Sequence, residues 1–219
     1  MATGVLPDFE VTRRRGQKNL YLRIRGDGKV IVSAPSHLPD RQIEAFVRDR
    51  SEWLARRLAH RAEHARPEPD GFGEDLSLWY LGRAYPLRHV EASRNGVSFD
   101  GTAFLFRGQA GEPFLGALRR FYLREARRYI ADRVAFWSER MGLKPKALRF
   151  RRYKSRWGCC APDNTLSFNT ALMRYDPELI DYVVVHELAH IRHKNHGPAF
   201  WALVARHMPD FKSLRKRLV

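Results

Sequence analysis

The chain has 219 residues and is strongly basic, with 40 Lys and Arg against 24 Asp and Glu and a net charge of +16. That length can bury a sizeable core, in one domain or in two tightly packed lobes. Its apolar runs are shorter than the roughly 20 residues that cross a bilayer, and residues 1–10 lack a basic-then-apolar signal, so we expect neither a membrane protein nor a secreted one.

The cysteines and the charge indicate the cellular compartment and the class of partner. The two cysteines, Cys159 and Cys160, are adjacent, which is a poor arrangement for a structural disulfide, so we expect a reduced, cytoplasmic setting. The positive charge favours polyanionic partners such as nucleic acid, nucleotides or acidic proteins. An arginine-rich, merely solvated surface would give the same charge, so nucleic-acid contact stays an open alternative.

The first half of the chain is predicted to be rich in strands. Alternating segments between residues 9 and 34 flank Gly26-Asp27-Gly28, which indicates a β-hairpin. Apolar residues at helical spacing predict one helix over 39–64. Several short strands follow over 76–106, separated by glycine turns. We therefore expect a β-rich N-terminal lobe over residues 1–110.

The second half of the chain is predicted to contain three helices and two strands. A long amphipathic helix is predicted over 113–141, followed by strands at 147–153 and 165–169. A buried helix begins after Asp176, and a last helix covers 198–207. This order predicts an α+β protein with a second lobe over 111–219, the two lobes forming one compact unit.

The most informative segment is the HELAH motif at residues 186–190. Positions four apart share one face of a helix, so His186 and His190 can present two imidazoles to one metal ion. Glu187 lies beside them and can act as general base toward a water that zinc makes more acidic. Because most other residues of this helix are apolar, its unpaired polar groups would be costly without a metal. The segment therefore predicts a zinc hydrolase.

A third ligand is sought after the helix, where no glutamate follows Glu187. The remaining histidines are His193, His196 and His207. His193 lies about 4.5 Å beyond His190 along the helix axis, away from a metal held by the first pair. His196 stands where the third histidine falls in the pattern HExxHxxGxxH, and the chain can turn back there. We favour His196 and keep His193 as the alternative.

A basic stretch with interleaved aromatic residues, 149–157, precedes the HELAH helix. Arg156 can hold a phosphate or a carboxylate, and Trp157 offers a stacking face. The alternative is a strand whose basic face is solvated and whose Phe150 is buried.

Further substrate contacts are predicted nearby. Asn169 and Tyr182 are candidate site residues, with a packing role as an equal alternative. An extended substrate can pair with an edge strand beside the metal, either the strand ending near Arg152 or the strand around Phe168.

Four motifs in this order resemble the YgjP-like branch of the SprT-like metallopeptidases: SRWGCC at 155–160, LSFN at 166–169, DYVVVHELAH at 181–190 and NHGPAFW at 195–201. A weaker match extends to residues 81–85 and to the hairpin around 26–28. The resemblance implies a small zincin-like catalytic lobe over 111–219, with His186, His190 and His196 as zinc ligands and Glu187 as the base. Cys159 stands where this family usually has serine.

The function implied is hydrolysis of peptide bonds in peptide or protein substrates. One alternative uses the same site, because some YgjP-like members are described as UTP pyrophosphatases. The other alternative is a basic nucleic-acid-binding protein with a structural zinc site. Such a site needs four protein ligands, the fourth coming from Cys160, His193 or His207.

Overall fold

The computed structural model describes residues 8–25, 28–73, 75–109 and 112–218. Within those ranges the protein is α+β, with ten strands and six α-helices. The contacts divide the chain into two compact units, 8–65 and 66–218. The boundary expected at 110/111 thus falls inside the second unit, because the strands after residue 76 share one hydrophobic core with the helix that follows them.

The first unit has a three-stranded sheet and two helices: β1 (Phe9–Arg14), β2 (Tyr21–Ile24), β3 (Val30–Pro35), α1 (Asp40–Asp49) and α2 (Ser51–His64). The hairpin is confirmed for β2 and β3, which pair antiparallel; Gly26 and Asp27 at its turn lie outside the described residues. β1 instead pairs parallel with β3. The core of this unit is Val30, Val32, Ala34, Ile43, Val47 and Leu54.

The prediction of one helix over 39–64 is wrong at Arg50. This residue leaves the helical conformation (φ −108°, ψ 11°), so α1 and α2 are separate helices. Its guanidinium lies over the Phe46 ring and bonds Asp49, so its side chain turns back along α1.

The second unit begins with four short strands: β4 (Ser77–Tyr80), β5 (Arg83–Val90), β6 (Gly96–Phe99) and β7 (Phe104–Arg107). They form a sheet in the order β4-β5-β7-β6, which packs on the long helix α3 (Glu112–Met141). The predictions of strands over 76–106 and of a helix over 113–141 are confirmed.

The rest of the second unit contains a second sheet and three helices: β8 (Ala147–Arg151), β9 (Gly158–Cys160), β10 (Thr165–Asn169), a 3₁₀ helix (Thr170–Arg174), α4 (Pro177–Arg192), α5 (Pro198–His207) and α6 (Phe211–Arg217). The strand order is β8-β10-β9, with β10 parallel to β8 and antiparallel to β9. All five residues of β10 are buried. α6 is an element that the sequence did not predict. In the described ranges, every helix is too short or too polar to cross a bilayer.

Two contacts fix the first half of helix α4, one at its start and one at Asp181. The tight turn between β4 and β5 abuts its start: Leu81 N–H donates to the carbonyl of Met173, and Gly82 lies against Asp176. A turn later, Arg133 of α3 donates to both carboxylate oxygens of Asp181, at 2.6 and 2.7 Å. This forked pair ties α4 to the longest helix of the protein.

The Arg133→Met substitution should therefore destabilise the second unit. Asp181, only 16% exposed, would lose both charge-assisted hydrogen bonds. A hydrogen bond to a charged group contributes about 1.5–3 kcal/mol to stability. We therefore expect the free energy of unfolding to fall by an amount of that order. Urea denaturation measures it, with Arg127→Met, an exposed position on the same helix, as control. Equal midpoints for both variants would contradict the assigned role.

Candidate metal centre

Helix α4 carries the HELAH motif and is buried along most of its surface. Asp176 occupies the N-cap position and Pro177 opens the helix, as the sequence predicts. The Asp176 carboxylate, however, does not cap the helix; it accepts a hydrogen bond from Arg217 of α6 at 3.0 Å. The buried residues of α4 are Leu179, Ile180, Tyr182, Val183, Val184, Val185, Glu187, Leu188 and Ala189. Its few polar groups are therefore held in an apolar environment.

Three histidine side chains converge at one point of this helix. His196 Nε2 lies 3.0 Å from His186 Nε2 and 3.1 Å from His190 Nε2. One ligand atom from each of the three lies within 4.8 Å of the other two. Two imidazole nitrogens bound to one tetrahedral zinc ion would be about 3.3 Å apart, given Zn–N distances of about 2.0–2.1 Å. The donor set therefore fits a metal ion bound by imidazoles.

The protonation of these histidines favours metal binding. Burial, together with the charges of the neighbouring His190 and His196, lowers the pKa of His186 to about 3. Burial also lowers the pKa of His190, although the His193 carbonyl acts in the opposite direction. Both rings are therefore neutral at pH 7, as metal ligands must be.

His193 contributes to the site through its backbone. It ends α4 as the C-cap residue, and its carbonyl oxygen lies 3.0 Å from His190 Nδ1. A hydrogen bond from Nδ1–H to this carbonyl leaves the Nε2 lone pair of His190 facing the other two histidines. The His193 imidazole does not belong to the three-histidine group. Sequence reasoning missed this role, since a backbone carbonyl leaves no signature in residue type.

Two aromatic residues of α5 support the histidines. The fully buried Phe200 ring lies 4.9, 4.5 and 4.7 Å, centroid to centroid, from His186, His190 and His196. Trp201 stacks on His196 at 5.5 Å with an interplanar angle of 21°. Both residues belong to the NHGPAFW motif, but residue type alone does not indicate that they pack on the histidines.

Glu187 follows His186 on α4 and is a buried carboxyl group. It is 5% exposed, and its Oε2 atom has no hydrogen-bond partner among the described residues. Burial raises the pKa of Glu187 to about 8, against the positive charge of Arg156, which lowers it. A cation held by the three histidines would stabilise the ionised carboxylate.

Gly158, the first residue of β9, packs directly against that carboxyl group. A Cβ atom at position 158 would lie 2.7 Å from both Cγ and Oε1 of Glu187, closer than atoms pack. Only glycine therefore fits at this position without moving the Glu187 side chain.

Arg156 and Trp157 lie next to this contact but differ in exposure. Arg156 is exposed, with its guanidinium 5.7 Å from the centre of the Tyr153 ring. Trp157 is half-buried and contacts the Tyr175 ring edge-on at 4.8 Å. Of the two, Arg156 is the one placed to meet a ligand in solvent.

Asn169 and Tyr182 are both buried. The Asn169 amide donates to the carbonyl oxygens of Tyr153 (3.0 Å) and Arg156 (2.9 Å), which shapes the segment before β9. Tyr182 lies one turn before His186 on α4, with ring centroids 5.9 Å apart. These contacts correspond to the packing alternative that the sequence left open.

The prediction that the strand around Phe168 is an edge strand is wrong. That strand, β10, is the central one, and the edges of its sheet are β8 and β9. On β8, Arg149 and Arg151 are exposed while Phe150 faces inward and stacks on Phe168 at 6.3 Å. For these two arginines the structure agrees with a solvated basic face.

Comparison with known proteins gives a family match that covers most of the chain. A family model described as the YgjP-like metallopeptidase domain matches residues 18–219. No curated protein sequence is significantly similar to the chain. Among solved structures, the metallopeptidase zymogen abylysin of Pyrococcus abyssi is 22% identical, with a TM-score of 0.38 over 41% of this chain and 90% of that one. The metallopeptidase zymogen jannalysin of Methanocaldococcus jannaschii is also 22% identical, with a TM-score of 0.36 over 39% and 89%. On the strength of the family match, the chain belongs to the YgjP-like family of metallopeptidase domains.

Proposed function

We propose that the protein is a zinc-dependent metallopeptidase with His186, His190 and His196 as ligands and Glu187 as general base. The observation that carries the proposal is the convergence of three imidazole nitrogens at a helix whose Glu187 Oε2 atom is buried and has no hydrogen-bond partner among the described residues. Zinc, when bound, supplies a Lewis acid for the substrate carbonyl and lowers the pKa of water to about 7. Glu187 holds the proton that the attacking water loses and returns it to the leaving amine.

The hydrogen-bond pattern of strand β9 favours a peptide as substrate. Its hydrogen bonds to β10 are made on alternate residues: Trp157 O accepts from Asn169 N at 2.8 Å, and Ala161 N donates to Thr165 O at 2.9 Å. In an antiparallel ladder the intervening Gly158 and Cys160 then direct their backbone groups to the other side, which is the sheet edge. An extended peptide paired with that edge would pass beside Glu187, because Gly158 contacts it.

A structural zinc site in a nucleic-acid-binding protein is less well supported. Structural sites are closed by four protein ligands. In the part of the chain that the structure describes, neither Cys160, His193 nor His207 joins the histidine group. The Cys160 thiol lies against Lys194 instead, and the His207 ring lies against Trp137. Three ligands leave room for substrate.

Hydrolysis of a nucleoside triphosphate is the second candidate. Three exposed cations, Arg152, Lys154 and Arg156, lie on the segment that leads to β9, and phosphate groups bind such side chains. Arg152 is already paired with Glu68 at 2.7 Å, so Arg156 is the stronger phosphate or carboxylate ligand. The same cations are the surface through which nucleic acid would make contact.

Glu187→Gln tests the proposed reaction. The variant should bind zinc as the wild type does, because Glu187 is not a ligand, and its rate should fall by about 10²–10⁴. Turnover of denatured proteins, peptides and nucleoside triphosphates is measured for both proteins. Wild-type rates for the variant on the preferred substrate would refute the assignment. Loss confined to nucleotides would select the second candidate.

Gly158→Ala provides the complementary arm of that experiment. This variant keeps the carboxylate but forces it to move, so zinc binding should persist while the rate falls comparably. Gly71→Ala is the matched control, because a Cβ atom there meets nothing within 4 Å. A fully active Gly158→Ala variant would show that the position of the Glu187 side chain is not critical.

Zinc content separates the two candidate third ligands. His196→Ala should lose most zinc, because the imidazole that completes the group is removed. His193→Ala should keep it, because the backbone carbonyl that accepts from His190 is unchanged. Metal analysis of the purified variants after exposure to equal zinc decides the point. The opposite pattern would make His193 the ligand.

Arg156 is predicted to bind an anionic group of the substrate. Arg156→Ala and Arg156→Lys should both raise KM, because lysine lacks the forked donor set, and added salt should weaken the wild type in the same way. Steady-state kinetics are measured beside thermal melting. A lower melting temperature with unchanged kcat/KM would instead make Arg156 a structural residue.

A further inference from the structure

The loop between α4 and α5, residues 193–197, carries the third histidine of the proposed centre. We propose that Lys194 is a positioning residue that fixes this loop, and with it His196, against the connection between β9 and β10. The inference rests on the proposed function, because it assigns Lys194 a role toward a bound metal ion.

The loop has little support from its own backbone. His193 N–H donates to the Ala189 carbonyl, which ends α4, and Trp201 N–H donates to the Gly197 carbonyl, which begins α5. Between these bonds, residues 194–196 make no backbone hydrogen bond within the described ranges. His196 is also the exposed member of the three. Its position must therefore be set by side chains.

Trp201 fixes only the tilt of the His196 ring. Its indole stacks on the imidazole, and it also stacks on Phe211 at 5.2 Å between ring centroids. Stacking allows the two rings to slide past each other, since no directional bond joins them. Phe200 also contacts this imidazole, at 4.7 Å between ring centroids, again without a directional bond. A directional contact is needed to fix the loop.

Lys194 supplies that contact. Its ammonium group reaches three acceptors in residues 160–164: Asn164 Oδ1 at 2.6 Å, the Ala161 carbonyl at 3.3 Å and Cys160 Sγ at 3.5 Å. An ammonium group has three N–H donors, and these three acceptors all belong to the end of β9 and the short connection that follows it. Asn164 is held in a left-handed conformation (φ +63°), so its acceptor belongs to a defined turn.

These contacts close a ring through the site. Glu187 packs on Gly158, which belongs to the same strand as Cys160, and Cys160 contacts Lys194. Lys194 is two residues from His196, whose Nε2 faces His186 on α4, the residue next to Glu187. The metal ligands and the edge strand β9 are thus fixed relative to each other from both ends of β9.

The experiment measures zinc affinity in the full chain by competition with a chelating dye. Lys194→Met should bind zinc about tenfold more weakly, the lower range for removal of a group that orients a ligand. Asn164→Gly removes the best acceptor and keeps the left-handed backbone, so it should weaken binding in the same direction. Both substitutions remove the same contact between Lys194 and Asn164. The double variant should therefore lose no more zinc affinity than Lys194→Met does. Asn164→Asp keeps an acceptor and should bind zinc as the wild type does.

Controls separate positioning from general stability. Lys212→Met removes an exposed lysine on α6 and should leave zinc affinity unchanged. The zinc-free Lys194→Met protein should melt near the wild type, because the contact is exposed and orders only the loop. If Lys194→Met does not fold, Lys194→Arg and Asn164→Gly are used instead. Lys194→Arg should keep the zinc affinity of the wild type, and Asn164→Gly should bind zinc more weakly.

Each outcome decides something. Zinc affinity in Lys194→Met equal to that of the wild type overturns the role of Lys194 and leaves the proposed function standing. Independent, additive losses in the double variant also overturn it, because Lys194 would then act without Asn164. A wild-type protein that binds no zinc overturns the proposed function itself.

Discussion

The burial of helix α4 is the constraint on which the rest of the second unit depends. Nine of its residues are buried, so it must be covered on nearly every side. α3, α5, α6 and strand β9 supply that cover. A helix so enclosed can hold a carboxyl group and two imidazoles only if they face one another or a ligand, because polar groups buried without partners cost free energy. The same low-polarity surroundings strengthen every electrostatic interaction made there.

The ligands of the candidate centre are fixed in two physically different ways. The helical repeat alone places His186 and His190 on one face, so their relation needs no tertiary contact. His196 depends on aromatic packing by Phe200 and Trp201 and on the end of α4 at His193. The first pair is a local property of the sequence, whereas the third ligand is a property of the fold.

This difference explains how much the sequence could predict. The periodicity of apolar residues identified α3 and α4, and the HELAH spacing indicated three of the four residues of the candidate centre. The break at Arg50 was missed because the apolar spacing continues through it, although the backbone leaves the helix there. The central place of β10 was missed because strand order depends on pairing between segments, which residue type does not encode. The sequence left Asn169 open as a substrate contact or a packing residue, since a polar side chain in a motif looks the same whether it binds substrate or two backbone carbonyls.

The sheet that carries β9 has two edges with opposite requirements. An uncovered edge invites pairing with any extended chain, including another copy of the same protein. β8 displays Arg149 and Arg151 on its exposed face, and mutual repulsion of such charges disfavours association through that edge. β9, whose residues are glycine and two cysteines, carries no charge of its own. The charges that disfavour pairing are therefore concentrated on one edge, and the uncharged edge is the one that contacts Glu187.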